Sequence, residues 1–170
     1  IFTCVPTVNK AVVAATVGAT EAAEAVGQEL AALLAGYGSI NRAARAAQVP
    51  TIGVAHGTVN GCVTEHGVPM AGFDHEFTTT ILFSAGVQAF MLGHIHKHQS
   101  WDVGGRLIAY AGSIGRFHHG ELDAKGFLLW AVDAAAARFR LVETPARRTV
   151  DLVFEGGPDA DQIAAAIREV

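Results

Sequence analysis

Three histidines follow short apolar runs, at the points where buried strands would end. His94 and His96 are two residues apart, and residues i and i+2 of an extended backbone point to the same side. His56 follows another apolar run, over residues 51–55. Because the carboxyl ends of parallel strands meet at one edge of a sheet, we expect the three imidazoles to converge there. Neutral imidazole binds zinc, iron, manganese or nickel, so the pattern predicts a metal site.

The histidines differ in how strongly their contexts indicate a ligand. A single histidine after a strand, such as His56, is more often a hydrogen-bonded structural residue. The His-x-His pair is the stronger signal, because two polar imidazoles on the same side of an apolar segment indicate a partner that both contact. Five further histidines have weaker contexts: His66, His75, His98, His118 and His119. We expect a local hydrogen-bonding cluster around His75 and a solvated pair at residues 118–119.

The elements that must position these histidines alternate between helix and strand before they become mainly strand. Apolar residues at helical spacing predict a helix with Thr20 as N-cap and Gly36 as its end, then a short helix over residues 41–47. Strands are predicted at the start of the chain and over residues 51–55, 87–92, 101–103, 107–110, 127–132, 137–143 and 149–154. Residues 104–105 form a hairpin turn signal, and a last helix begins at Asp159. The order favours an α/β fold with a mixed sheet.

Composition narrows the class of protein. The 170 residues are 51% hydrophobic and 16% charged, which is typical of a globular domain and unlike a disordered tail. No apolar run approaches a membrane span, and the first residues lack the basic region of a signal peptide. Cys4 and Cys62 form no CxxC motif, so we expect a reducing, cytoplasmic location. The formal charge of -4 argues against gripping nucleic acid by electrostatics alone, although bound metal ions could supply positive charge.

Several motifs resemble those of calcineurin-like metallophosphoesterases. The segment VAHGTVNG at residues 54–61 resembles their HG motif, and MLGHIHK at residues 91–97 resembles their GHxH motif. Downstream, YAGS at residues 110–113 and KGF at residues 125–127 are similar to the stretch that follows GHxH in SbcD-type DNA repair exonucleases. The resemblance spans roughly residues 50–143 and is stronger than any one motif alone.

The resemblance implies a fold, a metal centre and an activity. Residues 1–146 would form the carboxyl-terminal half of a four-layer α/β/β/α sandwich, and residues 147–170 the start of a capping domain. The implied cofactors are two divalent metal ions, Mn²⁺ first, with Mg²⁺, Fe or Zn as alternatives. His56 and His94 would bind one ion and His96 the other. Two such ions can hold a phosphodiester, activate water and stabilise the leaving oxygen.

The implied activity is phosphodiester hydrolysis, as a DNA exonuclease or endonuclease in repair or processing. DNA is then the substrate, and an ATPase subunit is a partner that the resemblance implies. Ser113, Arg116 and Lys97 are candidate contacts to a phosphate backbone. The alternative for the two basic residues is an ordinary surface position.

The sequence departs from the family pattern at its amino-terminal motifs. It contains no DxH, GD or GNHD motif, so no aspartate bridges the metals and the family's acid–base histidine would precede Ile1. We therefore expect a fragment of a longer chain, slow on its own because three imidazoles shared between two hard cations bind weakly. Half a sandwich would also expose an apolar face, which another copy or the missing half would cover.

Two other functions stay open from the sequence. One is a phosphomonoesterase or cyclic-nucleotide phosphodiesterase on the same fold. The other is a non-catalytic interaction module, in which the histidines are structural or bind a single structural metal.

Overall fold

A mixed five-stranded sheet is the centre of the fold. The computed structural model describes residues 1–7, 14–16, 18–64, 68, 76–147 and 150–169. The strand order is β1-β2-β5-β7-β6. The five strands are β1 Phe2–Cys4, β2 Ile52–His56, β5 Ala89–Gly93, β6 Gln99–Val103 and β7 Arg106–Tyr110. The first four in that order are parallel, and β6 is antiparallel to β7. The predicted α/β class with a mixed sheet is confirmed.

Within the part of the chain that the structure describes, the other strands form two pairs, and three helices have described bounds. The first pair is β3 Thr58–Val59 with β4 Glu76–Phe77, which is parallel, and the second is β8 Gly126–Val132 with β9 Ala137–Glu143, which is antiparallel. The helices are α1 Ala19–Ala46, α2 Thr79–Ser84 and α3 Ala160–Arg168. None of the described helices combines the length and the apolar character that a membrane crossing needs.

The core lies between one face of the sheet and the helices α1 and α2. Alternate residues of the strands point to this face, because side chains alternate along a strand. Its buried residues come from the strands, from α1 and from α2, and they include Phe90, Leu92, Ile108 and Tyr110, Val26, Leu30 and Leu34, and Leu82 and Phe83. Asn41 of α1 fixes the helix to β1, since its amide donates to Thr3 Oγ1 and to the Ala85 carbonyl, each at 2.7 Å.

The first helix is longer than the sequence predicted. It runs without a break through Gly36, so the predicted end there was wrong, as was a separate short helix over residues 41–47. The N-cap is Gly18, with no side-chain cap hydrogen bond, so Thr20 as N-cap was also wrong. Each interior glycine costs a helix about 1 kcal/mol. Burial of three large apolar side chains, each stabilising by about 1.5–3 kcal/mol, outweighs that cost.

Several local predictions are confirmed. The turn between β6 and β7 is formed by Gly104 and Gly105, both with positive φ, as a two-residue hairpin turn requires. The β8–β9 pair has the predicted range to within a residue. The last helix begins after Asp159, whose side chain forms a capping box with Gln162.

Other predictions failed or missed an element. The predicted last strand was wrong over its described part, since residues 150–154 form no strand, and Thr149 lies outside the described residues. Nothing in the apolar pattern predicted α2, because it has only six residues and begins with two threonines. Its start is fixed by Thr78, whose side chain accepts a hydrogen bond from the Ile81 amide at 3.1 Å.

The sheet face opposite the core is partly open near β1 and β2. Phe2 is 68% exposed and Val54 is 37% exposed. They share this face because Cys4 pairs with Val54 and Phe2 pairs with Ile52 in register. These two side chains leave an exposed apolar area on this face of the sheet.

Candidate metal centre

His56 and His94 come together at the carboxyl ends of two adjacent parallel strands. His56 is the last residue of β2, and it pairs in register with Gly93, the last residue of β5. The next residue is His94, and its ring lies edge-to-face against the His56 ring, with 5.1 Å between centroids. The two imidazoles that follow apolar runs in the sequence therefore lie side by side in the fold.

Their spacing fits two imidazoles that share an ion. With nitrogen–metal bonds of about 2.0–2.1 Å, two rings on one ion have centroids about 5 Å apart. His56 is exposed and His94 is partly buried, so a cation can reach the pair from solvent. An edge-to-face contact between the rings accounts for part of this arrangement without a metal. The donor set and the spacing together make the pair a candidate ligand set for one divalent ion.

Gly93 creates the space that the His56 ring occupies. A Cβ at position 93 would lie 3.1 Å from His56 Nδ1, a tighter contact than most side chains tolerate. The Gly57 amide donates to the Gly93 carbonyl at 3.3 Å, which joins the two strand ends beyond the last register pair. The glycine before the His-x-His pair thus allows the His56 ring to approach the backbone closely.

Tyr110 holds the loop that follows His56. It lies at the end of β7, and its buried hydroxyl donates to the Gly57 carbonyl and accepts from the Val59 amide at 2.9 Å. Burial raises the pKa of Tyr110 well above its ordinary value; the Val59 hydrogen bond opposes this and the nearby Cys62 adds to it. The tyrosine of the YAGS segment is therefore a fixed, neutral support for the His56 loop.

His96 lies in a different set of contacts from the His56–His94 pair. Its Nδ1 is 3.5 Å from Glu121 Oε1, and its ring is nearly parallel to that of His118, with 6.0 Å between centroids. One ligand atom from each of His96, His118 and Glu121 can be chosen so that all three lie within 4.8 Å of one another. The described residues thus contain a cluster that could hold a metal ion.

The backbone at His96 is held by three groups from downstream. Its carbonyl accepts from the Ser113 amide at 3.1 Å and from Lys125 Nζ at 3.2 Å, and the Ser113 hydroxyl lies at 3.5 Å. Ser113 is buried and was a candidate for substrate contact. In the structure the amide and the hydroxyl of Ser113 face the His96 carbonyl. Together with the Lys125 contact, they join the YAGS and KGF segments to the GHxH motif.

Glu121 and Lys125 form a buried ion pair behind His96. Glu121 is 1% exposed and Lys125 is 2% exposed, and the two charged groups are 2.8 Å apart. Burial raises the pKa of Glu121, but the hydrogen bond and charge of Lys125, helped by Phe117 and His96, outweigh it, so the net shift is downward. Glu121 is therefore an ionised carboxylate, the state in which it can bind a cation. Sequence reasoning missed it as a ligand, because no spacing rule connects it to the histidines.

Arg116, the second candidate for substrate contact, is occupied by the backbone. All five N–H donors of its guanidinium form hydrogen bonds to backbone carbonyls. Nε donates to the Glu121 carbonyl at 2.6 Å, and the two terminal nitrogens donate to four more carbonyls, those of Leu122, Asp123, Ala146 and Arg147. Arg116 thus fixes the segment that carries Glu121 and connects it to the chain after β9.

Lys97 is the third candidate and is partly exposed. Its Nζ lies 3.5 Å from Asp123 Oδ2, a surface contact worth about 0–1 kcal/mol. Because this contact is weak, the ammonium group is available to an anionic ligand near the His-x-His motif.

The other histidines are dispersed. His98 Nδ1 lies 2.7 Å from the Tyr110 carbonyl, and its ring contacts Phe139 edge-on, which is a structural role. His118 and His119 are both exposed, as expected for a solvated pair, but His118 also belongs to the cluster with His96. His66 and His75 lie outside the described residues. Cys4 and Cys62 are both free.

Comparison with models of protein families found no match, and comparison with curated proteins found none either.

Proposed function

We propose that this chain is the carboxyl-terminal half of a calcineurin-like metallophosphoesterase domain of the SbcD type, which hydrolyses phosphodiester bonds in DNA with two divalent metal ions. The observation that carries the proposal is the convergence of His56 and His94 from adjacent parallel strand ends, with 5.1 Å between ring centroids. This is the arrangement that the HG and GHxH motifs require if both histidines bind one ion. In the complete four-layer sandwich, a second sheet would cover the apolar face that exposes Phe2 and Val54.

The residues of this chain have distinct roles in the proposed centre. His56 and His94 hold one ion through ring nitrogens, and His96 holds the other. When bound, two divalent ions orient a phosphodiester and lower the pKa of water. Tyr110 and Gly93 keep the His56 ring in place, and the Ser113 and Lys125 contacts do the same for the His96 backbone. Lys97 lies beside the site, where it can contact a phosphate.

DNA is the proposed substrate because the YAGS and KGF segments are similar to those of the nuclease branch. In the structure Ser113 and Lys125 contact the carbonyl of His96, and Tyr110 contacts the loop that follows His56. The net charge of -4 gives the chain little general attraction for DNA, so the metal ions must supply much of it. An ATPase partner and a cytoplasmic location belong to the same proposal.

The proposal is tested by the cleavage of linear duplex DNA by the full-length protein in Mn²⁺. We expect His94→Ala and His56→Ala each to lower turnover by at least about 100-fold, because loss of even an outer-sphere partner of a metal costs 10–100-fold. His119→Ala is the matched control, since it removes an exposed imidazole beside the site and is expected to keep full activity. The 170-residue chain alone is expected to be slow, because it lacks the carboxylate ligands of the family.

A small chromogenic diester assayed in parallel separates the alternatives. Cleavage of the diester without cleavage of duplex DNA would assign the protein to the small-substrate branch of the fold. Full turnover in both His56→Ala and His94→Ala would contradict a metal centre at this pair.

A further inference from the structure

We propose that His96, His118 and Glu121 together bind one zinc-like divalent cation. The cluster shares His96 with the proposed catalytic centre and goes beyond that centre in its other two ligands, His118 and Glu121. Two imidazoles and one carboxylate are a donor set that binds Zn²⁺ in proteins, with a fourth position open to water or a further ligand.

The distances are compatible with a shared ion. His96 Nδ1 and Glu121 Oε1 are 3.5 Å apart, close to the separation of about 3.3 Å between neighbouring ligands of a tetrahedral zinc. The His96 and His118 centroids are 6.0 Å apart, about 1 Å more than for two rings on one tetrahedral ion. His118 is exposed, so a rotation of its side chain can close the remaining gap without disturbing the core.

The two inner ligands are held in place before any cation arrives. Glu121 is fixed by Lys125 Nζ at 2.8 Å and by the Phe117 amide at 3.4 Å, both on Oε2, so Oε1 is the atom turned to His96. The segment around Glu121 is fixed in turn by the guanidinium of Arg116. Outer contacts that orient first ligands are a regular feature of metal sites.

The ion pair with Lys125 also affects which cation the site prefers. The ammonium group offsets part of the negative charge of Glu121, so the carboxylate attracts a hard cation less strongly than a free one does. The two imidazole nitrogens then dominate the choice of ion, and they favour Zn²⁺, Co²⁺ or Cu²⁺ over Mg²⁺ and Ca²⁺. The proposed site should therefore discriminate against Mg²⁺ and Ca²⁺.

The test is a titration of the 170-residue chain with Co²⁺, whose visible absorption reports tetrahedral coordination, followed by displacement with Zn²⁺. We expect one Co²⁺ per chain to show the tetrahedral absorption. His118→Ala should weaken this binding by at least about 10-fold, whereas His119→Ala, the neighbouring exposed histidine, should leave it unchanged. Because His118 is on the surface, its substitution leaves the fold intact, which thermal unfolding without metal verifies.

Three results would overturn the site: no Co²⁺ binding by the wild-type chain, equal affinity in the His118→Ala variant, or loss of binding in the His56→Ala variant. The last result would move the ion to the His56–His94 pair. Since the readout is absorbance and not turnover, failure here leaves the proposed hydrolase function standing, and failure of DNA cleavage leaves this site standing.

Discussion

At the scale of single residues, His94 combines a ring that contacts His56 with a backbone angle that side chains rarely adopt. Its φ is 116°, a region that favours glycine, and holding a non-glycine residue there costs about 1–3 kcal/mol. The strand pairing of β5 up to Gly93 and the contact with His56 keep it in place. Backbone strain of this kind often persists at functional sites, so the angle at His94 motivates a test of its role.

We expect His94→Gly to be more stable than His94→Ala by about 1 kcal/mol or more, because only glycine relieves the strain at positive φ. Urea unfolding of the 170-residue chain measures the difference. Both variants lose the imidazole, so metal-dependent activity of the full-length protein should be equally low in the two. Equal unfolding free energies would show that the backbone at position 94 is not strained.

The hydroxyl of Tyr110 is a second group on which the local structure depends. It satisfies the buried Val59 amide and the Gly57 carbonyl, so its removal leaves buried polar groups without the hydrogen bonds they had. Such a loss costs about 1–3 kcal/mol. The loop between β2 and β3, which follows His56, is then less well fixed.

We expect Tyr110→Phe to lower the unfolding free energy by about 1–3 kcal/mol at neutral pH, with Tyr37→Phe, on a half-buried position of α1, as a control that changes it little. The difference in unfolding free energy between the wild type and Tyr110→Phe should narrow above about pH 10. There the unfolded tyrosine ionises, while burial raises the pKa of Tyr110 in the folded state, so only the wild type loses stability. A constant difference from pH 7 to 11 would contradict a buried neutral hydroxyl.

At the scale of elements, α1 shows how tertiary packing overrides a local stop signal. Gly36 looked like a helix end, yet the helix continues through it and through Gly38. The two glycines differ in their surroundings. A Cβ at Gly36 meets nothing within 4 Å, whereas one at Gly38 would collide with the Ser84 backbone oxygen at the end of α2. Gly38 is thus required for the contact of α1 with α2, a reason that no local sequence pattern reveals.

This contrast gives a matched pair of substitutions. Gly36→Ala should raise the unfolding free energy by about 0.4–1 kcal/mol, because alanine reduces the entropy of the unfolded chain and meets open space. Gly38→Ala should lower it by about 1–3 kcal/mol, because the two helices must move apart. Thermal and urea unfolding of the two variants measure both effects. The same sign for both would mean that α1 and α2 do not pack as closely as the structure has them.

The strands were predicted from sequence more successfully than the helices. The segments at β2, β5 and β8 are compact apolar runs bounded by glycine or proline, and the β6–β7 hairpin has a turn signal that depends only on neighbouring residues. The short pair β3–β4 was not predicted, because each strand has only two residues and their pairing is long-range. Local rules therefore located the strand ends on which His56 and His94 lie.

At the scale of the whole molecule, the candidate site divides into a part that the sequence predicted and a part that it did not. The His56–His94 pair follows from two strand ends and from parallel pairing of β2 with β5. The surroundings of His96 depend on the return of the chain after β7, which brings Glu121 and Lys125 beneath the His-x-His motif. Such contacts arise from the tertiary path of the chain, and the only sequence signal for them was the resemblance of the YAGS and KGF segments.

The convergence of His56 and His94 on a metal ion is tested most directly by anomalous diffraction from crystals of the proposed complete domain prepared with Mn²⁺. We predict an anomalous peak within about 2.0–2.3 Å of a ring nitrogen of each of the two histidines, with a second peak about 3.5–4 Å away beside His96. An anomalous map with no peak between the His56 and His94 rings, including one whose only peak lies at His118 and Glu121, would contradict the proposed catalytic centre.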